Sequence, residues 1–427
     1  MPMEWYKLRR YLHFDPPLNE ATAAKVVTSP KRVASHSFYP LIRYTVRTQK
    51  VHFDKTAGKV KRKDPKERPI SYASHLDSHI YSYYCALLSQ QYEDLLLETK
   101  WASSVLAFRT LGKGNIHFAR DAFQDIARRE SCCAVAIDIK GFFDNLEHRL
   151  LKECWQRVLG VNELPADHYA VYKAITRYSY VQRDEVYQAL DISKSNPKLN
   201  RSRICSAPEF REKIRKTGLI HSNQTAKGIP QGSPISALLS NIYMIGFDEK
   251  IAAFTESCGG SYYRYCDDVL LIVPTDIADE AKARVREEVE TVQLQLQETK
   301  TETVIFRATA SGARAEKPLQ YLGFTFDGTR IHLRASSLAK HQERLNKGVG
   351  LAQKCMEKVN GLRIARGDLP RALYLKKLYK RYSHLGRRNF LSYGYRASLI
   401  MGSSSIKKQL KPNWQRLQAK ISDTSVV

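Results

Sequence analysis

The sequence predicts an α+β fold made of two or three packed subdomains. Short apolar or aromatic runs, typical of β-strands, alternate with stretches whose apolar residues recur every three or four positions, as on one face of a helix. At 427 residues the chain exceeds the usual size of one domain and has ample apolar material for a core. A small scaffold held together by disulfides is therefore excluded.

The chain is strongly basic. It contains 69 Lys plus Arg against 43 Asp plus Glu, a formal net charge of +26 at pH 7, and 10% aromatic residues. This balance favours a polyanionic partner, most commonly nucleic acid, whereas binding to an anionic membrane would require a polybasic amphipathic anchor. No stretch approaches the ~18 consecutive apolar residues of a membrane span, and residues 1–10 are too short and polar for a signal peptide. We expect a soluble, cytosolic protein without a membrane partner.

The eight cysteines show neither C-x-x-C spacing nor a zinc pattern with the neighbouring histidines. We therefore expect buried free thiols in a reducing compartment. The sequence contains no internal repeat and no long low-complexity tract.

The first 68 residues are rich in aromatic and basic side chains. Those of residues 1–50 can pack on the main body and contact a nucleic-acid backbone. The charged stretch that follows, up to Arg68, contains glycine and proline, which favour a hairpin or an extended loop. A basic hairpin could clamp a triphosphate, with Lys61 as a point charge and Arg68 as a planar fork. A solvated basic loop explains the same residues.

Two helices are predicted next. Asp77 to Leu97 carries apolar residues at spacings of three and four, which predicts a long amphipathic helix, and His117 to Arg129 predicts another. Between them, Phe108 to Asn115 is a glycine-containing turn with two cations.

A buried strand is predicted to end on a carboxylate. Six consecutive apolar residues, Cys132 to Ile137, precede Asp138. A carboxylate that closes so apolar a strand needs a partner, and a metal ion would supply one. Asp144 has a structural explanation instead, because D-N-L-E from Asp144 to Glu147 resembles a capping box that starts a helix through Trp155. Asp144 is therefore not counted as a metal ligand.

A loop with a specific pattern follows a less regular region. Residues 161–220 are polar and irregular, and we interpret them as an insertion near the nucleic-acid path. Gly228 to Met244 then begins G-I-P-Q-G-S-P and leads into an apolar helix. Glycine permits the close approach of a backbone to a ligand, and Gln231 offers both a donor and an acceptor. A helix-capping loop is the simpler interpretation, but P-Q-G-S-P favours a binding loop.

The most informative stretch is Ser261 to Val273, which reads S-Y-Y-R-Y-C-D-D-V-L-L-I-V. Neighbouring side chains of a strand point to opposite faces, so two consecutive aspartates within a strand would bury one carboxylate. Asp267 and Asp268 fit better at the tip of a hairpin, from which both can project into one cleft. Because adjacent carboxylates repel, they favour a cation between them, and hard oxygen ligands suit Mg²⁺ or Mn²⁺. A solvated turn is an equally good interpretation of this stretch alone.

The last part of the chain is predicted to be helical and basic. Before it come a helix at Glu280 to Leu296, Lys300 ahead of a strand, and an aromatic hairpin strand at Leu319 to Phe326. Residues 335–427 hold 20 Lys plus Arg against four Asp plus Glu, which suits a lobe that follows the backbone of a duplex. A second helix is expected near Leu369 to Leu385. The first helix of this lobe carries an apolar stripe, formed by Leu338, Leu345, Val349, Ala352, Met356 and Val359.

In this order the stretches resemble the motifs of reverse transcriptases, in particular the bacterial lineage of group II intron, retron and defence-associated enzymes. The resemblance covers roughly residues 60–330 and leaves out residues 1–50 and 161–220. It rests on Asp138 with Phe143 (motif A), G-I-P-Q-G-S-P-I-S with Gln231 (motif B), Y-C-D-D at Tyr265 to Asp268 (motif C), Lys300 (motif D), Y-L-G-F at Tyr321 to Phe324 (motif E), and Lys61 with Arg68 (fingertips).

The resemblance implies a right-hand polymerase fold with fingers, a ferredoxin-like palm and a helical thumb. The implied divisions are an N-terminal extension at 1–50, fingers at 51–130, palm at 131–160, fingers or an insertion at 161–227, palm at 228–334, and a basic thumb at 335–427.

The resemblance also implies an RNA-directed DNA polymerase that adds dNTPs to a primer 3′-hydroxyl. Two Mg²⁺ ions, or Mn²⁺, would be held by Asp138, Asp267 and Asp268, with the Ile139 backbone carbonyl as a further candidate ligand. Lys300 would protonate the leaving pyrophosphate, although a surface lysine explains it equally well. The other implied site residues are Lys61, Arg68, Phe143 and Gln231 for the dNTP, and Tyr321, Leu322 and Gly323 for the primer grip.

Phe143 separates this resemblance from the viral-type RNA-dependent RNA polymerases, which are the nearest alternative. Those enzymes usually carry G-D-D and an aspartate five residues after the first metal ligand. Here that position is Phe143, whose ring would meet a ribose 2′-hydroxyl, and Asp144 falls one place late. One departure from the family is Cys266, where alanine or methionine is more frequent; a small thiol fits a tight tip.

The implied partners are an RNA template, a DNA primer or product, and dNTPs. No H-N-H or zinc-type nuclease signature follows the thumb-like lobe, which favours a retron or defence-associated enzyme of the bacterial cytoplasm that uses a dedicated structured non-coding RNA. The alternative from another class is an RNA-binding maturase or chaperone that keeps the fold. Pure binding, however, does not need three intact carboxylates.

Overall fold

The computed structural model describes residues 4–49, 51–54, 59–62, 65–310 and 312–423, with side chains for residues 4–49, 65–310 and 312–423. Its helices in chain order are α1 (Glu20–Val27), α2 (Pro30–Ala34), α3 (His75–Leu97), α4 (Asn115–Arg128), α5 (Phe142–Asn145), α6 (His148–Leu159), α7 (Ala166–Thr176), α8 (Arg183–Ala189), α9 (Ala207–Phe210), α10 (Ser236–Tyr243), α11 (Ile245–Ser257), α12 (Ala278–Thr291), α13 (Ala335–Ile364), α14 (Leu375–Tyr382), α15 (Phe390–Ile400), α16 (Ser404–Leu410) and α17 (Asn413–Ser422).

The strands are β1 (Leu41–Thr48), β2 (Val51–Asp54), β3 (Lys59–Arg62), β4 (Lys66–Tyr72), β5 (Cys132–Asp138), β6 (Ser179–Gln182), β7 (His221–Ser222), β8 (Ser261–Tyr265), β9 (Asp268–Val273), β10 (Glu302–Thr309), β11 (Gly312–Ala315), β12 (Leu319–Tyr321), β13 (Phe324–Phe326) and β14 (Ile331–Leu333). The predicted helices at Asp77 to Leu97 and His117 to Arg129 correspond to α3 and α4. The predicted basic hairpin corresponds to β2 and β3, which pair antiparallel.

The central sheet has the strand order β11-β10-β5-β9-β8, with antiparallel neighbours throughout. Helices separate β5 from β8 and β9 from β10, while β8 and β9 form a hairpin. Four of the strands therefore make the β-α-β-β-α-β arrangement of a ferredoxin-like sheet. The predicted ferredoxin-like palm is confirmed by this topology.

Both faces of the central sheet are covered, which explains the uninterrupted apolar runs of β5 and β9. Along β5, Cys133, Val135 and Ile137 belong to one hydrophobic core, which includes α3 and α10. Cys132 and Ala134 point to the other face and belong to a second core with α4 and the C-terminal helices. The alternation of a strand thus divides one apolar run between two cores.

A second sheet has the order β4-β1-β6-β7, and β6 lies parallel to β1. The prediction that residues 161–220 are irregular is wrong, because this region contains α7, β6, α8 and α9. Its apolar residues lie in helices and strands of at most 11 residues, which are too short to show a long periodic run. They become buried against the N-terminal segment, where Leu12, Phe14, Val181, Val186, Ile192 and Ile214 share a core.

The C-terminal region combines a small sheet, ordered β12-β13-β14, with helices α13 to α17. The predicted apolar stripe on α13 is buried only in part: Leu345 and Val349 are in a core, whereas Val359 is 51% exposed. The second predicted helix is α14, which begins six residues later than expected at Leu375 because Asn360 and Arg363 bind the backbone of the preceding loop.

None of the helices in the described ranges is long and apolar enough to cross a bilayer. All eight cysteines are free; four are buried and Cys355 is exposed, so the expectation of buried thiols is correct for only half of them.

Candidate active site

Strand pairing brings the predicted carboxylates to one edge of the central sheet. Asp138 is the last residue of β5 and lies directly opposite Asp268, the first residue of β9. Asp267 and Cys266 form the turn between β8 and β9, as predicted for a hairpin tip. Like charges directly opposite each other destabilise a sheet, so this pairing points to a functional constraint rather than to stability.

Two hydrogen bonds to backbone carbonyls hold the tip of this hairpin. Cys266 has a φ of 61°, a left-handed conformation that few non-glycine residues adopt. Its carbonyl accepts a hydrogen bond from Arg264 Nη1 at 3.3 Å, and the Asp267 carbonyl accepts one from the Ile139 amide at 3.2 Å. The strained turn is therefore tied both to β8 and to the residue that follows Asp138.

The three neighbouring carboxylates repel one another, so a nearby positive charge stabilises them. Partial desolvation by the surrounding protein, with repulsion from Asp267 and Asp138, raises the pKa of Asp268 to about 6, against the attraction of Lys300 and Arg334. Lys300 lies in a 3₁₀ turn before β10, and its Nζ is 2.6 Å from Asp138 Oδ1. Lys300 is thus a partner of the site and not an isolated surface lysine.

The donor atoms around Asp138 and Asp268 decide whether a metal ion fits between them. Among the described residues, no three His, Cys, Asp or Glu side chains are grouped closely enough to hold an ion as they stand. The backbone nevertheless carries three carboxylates on adjoining strand ends, and Asp138 already binds the Lys300 ammonium. Hard carboxylate oxygens and unrelieved negative charge fit a divalent cation such as Mg²⁺.

A cleft of about 740 Å³ opens over Asp138 and Asp268. The predicted primer-grip residues Tyr321, Leu322 and Gly323 line the same cleft. Its other polar lining residues are Asn115, Thr299, Lys300, Glu302, Gln320 and Arg334. The fold therefore brings residues predicted for motifs A, C, D and E to one cleft.

The turn at Leu322 and Gly323 is a two-residue hairpin loop between β12 and β13. Both residues have positive φ, 44° for Leu322 and 91° for Gly323, as the tightest hairpins require. The Leu322 carbonyl accepts a hydrogen bond from Asn115 Nδ2 at 3.2 Å, and the Gly323 carbonyl accepts one from the Arg334 amide at 3.1 Å. The loop is thus fixed to α4 and to the start of α13.

The loop that contains Gln231 packs closely between the backbone of α5 and the backbone of β4. At one end, Gly228 has a φ of 87°, and a Cβ there would lie 2.8 Å from the Asp144 carbonyl oxygen. At the other end, Gly232 has a φ of 109°, and a Cβ would lie 2.5 Å from the Ser71 carbonyl oxygen. The Ser71 amide donates to the Gln231 carbonyl at 2.8 Å. The two glycines of G-I-P-Q-G are therefore required by close approach to α5 and β4.

The predicted helix cap at Asp144 is wrong. Asp144 lies inside the short helix α5, and Glu147 caps the next helix, α6, by accepting from the Leu150 amide at 2.6 Å. Helix α5 does not continue into α6, because Leu146 between them is extended, with a ψ of 114°. The Leu146 carbonyl accepts a hydrogen bond from the Gly228 amide instead. Burial raises the pKa of Asp144, against the attraction of Arg43 and Lys66.

The four residues predicted to contact the dNTP are not brought together in the cleft over Asp138 and Asp268 as far as the structure describes them. Phe143 is half-buried, with its ring 5.6 Å from that of Phe142, and its carbonyl accepts from the Ile229 amide. Neither Phe143 nor Gln231 is among the described residues that line the 740 Å³ cleft. Arg68 is exposed on β4 and donates to Thr48 Oγ1 at 3.4 Å. The backbone of Lys61 lies in β3, but its side chain is outside the described part.

Sequence reasoning missed a buried ion pair beneath the hairpin tip. Arg264 and Asp248 are both fully buried, with Arg264 Nη2 2.5 Å and Nε 2.6 Å from the two carboxylate oxygens. Arg264 also donates to Asn241 Oδ1 at 3.1 Å, and the Tyr262 hydroxyl donates to Asp248. Although burial opposes it, Asp248 raises the pKa of Arg264, so the guanidinium stays charged.

The position of Arg264 in the sequence did contain a signal. In Y-Y-R-Y, the alternation of β8 puts Arg264 on the same face as the buried Tyr262, where a charge requires a partner. Asn115 and Arg334 were also missed, and no comparable sequence pattern distinguishes them.

One protein family and several solved structures are similar to this chain. The family described as reverse transcriptase (RNA-dependent DNA polymerase) matches residues 60–326. No curated protein matches the chain. Telomerase from Candida albicans, solved with a fragment of telomeric RNA, is 12% identical with a TM-score of 0.41, over 96% of this chain and 69% of that one. Apo telomerase from Candida tropicalis is 12% identical with a TM-score of 0.40, over 95% and 64%.

A C-terminally truncated apo telomerase from Candida tropicalis is 11% identical, with a TM-score of 0.39, over 74% of this chain and 61% of that one. The chain thus spans roughly two thirds of these telomerases, which are too distant to add to the assignment. The family match covers more than half of the sequence and includes every predicted carboxylate. The chain has the right-hand polymerase fold and belongs to the reverse transcriptase family.

Proposed function

We propose that this protein is an RNA-directed DNA polymerase that adds dNTPs to a primer 3′-hydroxyl. The observation that carries the proposal is the pairing of Asp138 with Asp268, next to Asp267, at the floor of a cleft shared with the Tyr321 to Gly323 turn. A nucleotidyltransferase needs carboxylates at such a point, because charge develops on both the attacking and the leaving oxygen.

Asp138, Asp267 and Asp268 would hold two divalent ions, Mg²⁺ or Mn²⁺, with the Ile139 carbonyl as a further candidate ligand. When bound, the ions supply Lewis acidity for in-line phosphoryl transfer. Lys300, already 2.6 Å from Asp138, neutralises the carboxylate before substrates enter and would donate a proton to the leaving pyrophosphate.

The proposal assigns the remaining residues around this centre. The ring of Phe143 would exclude a ribose 2′-hydroxyl. The Phe143 carbonyl accepts a hydrogen bond from Ile229, in the loop that carries Gln231. Lys61 on β3 and Arg68 on β4 would contact the triphosphate. Tyr321, Leu322 and Gly323 would hold the primer end. We assign fingers to 51–130 and 161–227, palm to 131–160 and 228–334, thumb to 335–427, and an N-terminal extension to 1–50.

The test is incorporation of dNTPs on a primed RNA template. We expect Asp267→Ala to reduce incorporation by at least about 10²-fold, because a carboxylate of the phosphoryl-transfer centre is lost. The matched control is Asp279→Ala, which removes an exposed carboxylate from α12 and should leave the rate unchanged.

Two outcomes would contradict polymerase activity itself. One is the absence of incorporation by the unaltered protein on several templates with either Mg²⁺ or Mn²⁺. The other is full biological activity and RNA affinity in Asp267→Ala, which would instead support a maturase or chaperone that works by binding alone. Incorporation of NTPs in preference to dNTPs would favour an RNA-dependent RNA polymerase.

We further propose that the enzyme uses a dedicated structured non-coding RNA in a retron-like or defence system in bacteria. The large positive charge of residues 335–427 supports a stable RNA partner. We expect one RNA species to co-purify with the protein through washes at high salt, as sequencing of the bound RNA would show. A random sample of cellular RNA would speak against this setting.

A further inference from the structure

A second cavity, of about 440 Å³, lies on the sheet formed by β1 and β4. Four tyrosines line it, together with two cations; the full set is Tyr11, Leu12, Tyr44, Tyr72, Arg183, Tyr187, Pro197 and Lys198. We call this set the tyrosine pocket. None of its members belongs to the motifs that define the polymerase centre.

Strand register places two of the rings side by side. Ile42 pairs with Tyr72 and Tyr44 pairs with Ile70, so Tyr44 and Tyr72 are diagonal neighbours on one face of the sheet. Tyr11, from the N-terminal segment, packs edge-on against Tyr72 with ring centroids 5.0 Å apart. Tyr187 comes from α8. Residues 4–15 and 183–198, which lie outside the stretches that resemble reverse transcriptase motifs, therefore complete the pocket.

The pocket is built before any ligand enters. The Tyr11 hydroxyl donates to the Ala73 carbonyl at 2.8 Å, and its ring stacks on His75 at 5.0 Å. Leu12 and Tyr187 are buried in the core beneath. Rings that are already fixed lose little conformational entropy when a flat ligand stacks on them.

The charges around the pocket select the class of ligand. The Arg183 guanidinium lies 5.1 Å over the Tyr44 ring and is also paired with Asp184, while Lys198 is exposed and bonds to the Arg10 carbonyl. An aromatic cage suits a quaternary ammonium only when no cation competes for the rings. Aromatic rings with cations beside them instead suit a base with its phosphate, because Arg also stacks on flat rings.

The pocket is separate from the polymerase centre. Since side chains alternate along β1, Arg43 lies on the face opposite Tyr44. On that face Arg43 donates to Ser71 Oγ and to the Tyr178 hydroxyl, and its charge acts on Asp144. A dNTP bound near Phe143 and Gln231 would therefore lie across the sheet from the tyrosine pocket.

We propose that the tyrosine pocket binds an unpaired nucleotide of single-stranded RNA, with its base stacked on Tyr44 and its phosphate near Arg183 and Lys198. The proposal deepens the proposed function, because it rests on RNA as the template or partner. It gives the N-terminal segment and residues 183–198 a shared role in gripping RNA outside the duplex.

The test is the binding of a fluorescein-labelled single-stranded oligoribonucleotide, followed by anisotropy, with unfolding curves to verify folding. We expect Tyr44→Ala to raise Kd about tenfold, since base stacking is lost, and Tyr44→Phe to bind within about twofold of the unaltered protein. Arg183→Ala should lower the dependence of Kd on salt. The matched control is Tyr169→Ala, an exposed tyrosine on α7 that stacks on Tyr172.

A change of less than about threefold in Tyr44→Ala, or an equal loss in Tyr44→Phe, would overturn the proposal. So would tighter binding of a trimethyl-lysine peptide than of the oligoribonucleotide. Anisotropy needs no catalysis, whereas the polymerase proposal is tested by incorporation on a primed template. Failure of one measurement is therefore distinguishable from failure of the other.

Discussion

The position of the two adjacent aspartates depends on one buried arginine. Arg264 joins Asp248 of α11, Asn241 of α10 and the Cys266 carbonyl at the hairpin tip. Breaking a buried ion pair by removing one partner is costly, because the other charge is left buried and unpaired. The network thus links the stability of the fold around α10 and α11 to the conformation of the turn that carries Asp267.

We expect Arg264→Met to destabilise the protein by about 3–5 kcal/mol, measured by urea unfolding. The double variant Arg264→Met with Asp248→Leu should recover much of that stability, since no unpaired charge remains. Its dNTP incorporation should stay low, because Asn241 and the Cys266 carbonyl still lack their donor. Recovery of stability and activity together would show that Arg264 does not position the tip.

At the scale of elements, the loop from Gly228 to Gly232 joins the region of α5 to β4 of the second sheet. It bonds to Phe143 and Leu146 on one side and to Ser71 on the other. A sequence pattern can indicate that these glycines matter, but only the packing shows that backbone carbonyls occupy the space a Cβ would need.

Comparison of Gly232→Ala with a control glycine separates the cost of the close contact with Ser71 from the cost of a positive φ. Gly218→Ala is the matched control, because Gly218 has a φ of 74° but nothing within 4 Å of a Cβ. We expect the control to cost about 1 kcal/mol and Gly232→Ala roughly 2–4 kcal/mol, in urea unfolding curves. Gly232→Ala should also raise KM for dNTPs by displacing Gln231. Equal losses in the two variants would contradict a role for the contact with Ser71.

At the scale of the whole molecule, charge is concentrated in the C-terminal region. Of the chain's 69 Lys plus Arg, 20 lie in residues 335–427 beside only four acids. Lys354 and Lys358 are exposed on α13, one turn apart. A basic helical surface of this kind gains affinity for a nucleic-acid backbone by releasing counterions.

We expect duplex binding to weaken steeply with salt. Replacing Lys354 and Lys358 by alanine should reduce the slope of log Kd against log salt by about 1 to 2, in anisotropy titrations with a primed template. The control is Lys100→Ala, an exposed lysine paired with Glu256 after α3. An unchanged slope in the double variant would place the duplex elsewhere.

Much of the site was predictable because its signals are local. A six-residue apolar run before Asp138, two aspartates between β-rich arms, and the periodicity of α3 and α4 are properties of neighbouring residues, and the structure confirms each. The predictions were wrong where contacts between residues far apart in sequence determine the local conformation. Asp144 does not cap α6, because the Gly228 amide binds the Leu146 carbonyl where the chain is extended. Residues 161–220 contain regular helices and a strand, part of which pack on residues 12–14.

By itself the sequence determined the order of the motifs, the charge of the lobes and the family, since each depends on residue type and spacing. Only the tertiary structure decided that Asp268 faces Asp138 and that Lys300 binds Asp138. It alone placed Arg264 beneath the tip and brought Tyr11 and Tyr187 to one pocket with Tyr44. The reason is physical: strand register and burial join residues far apart in sequence, and no local pattern encodes those distances.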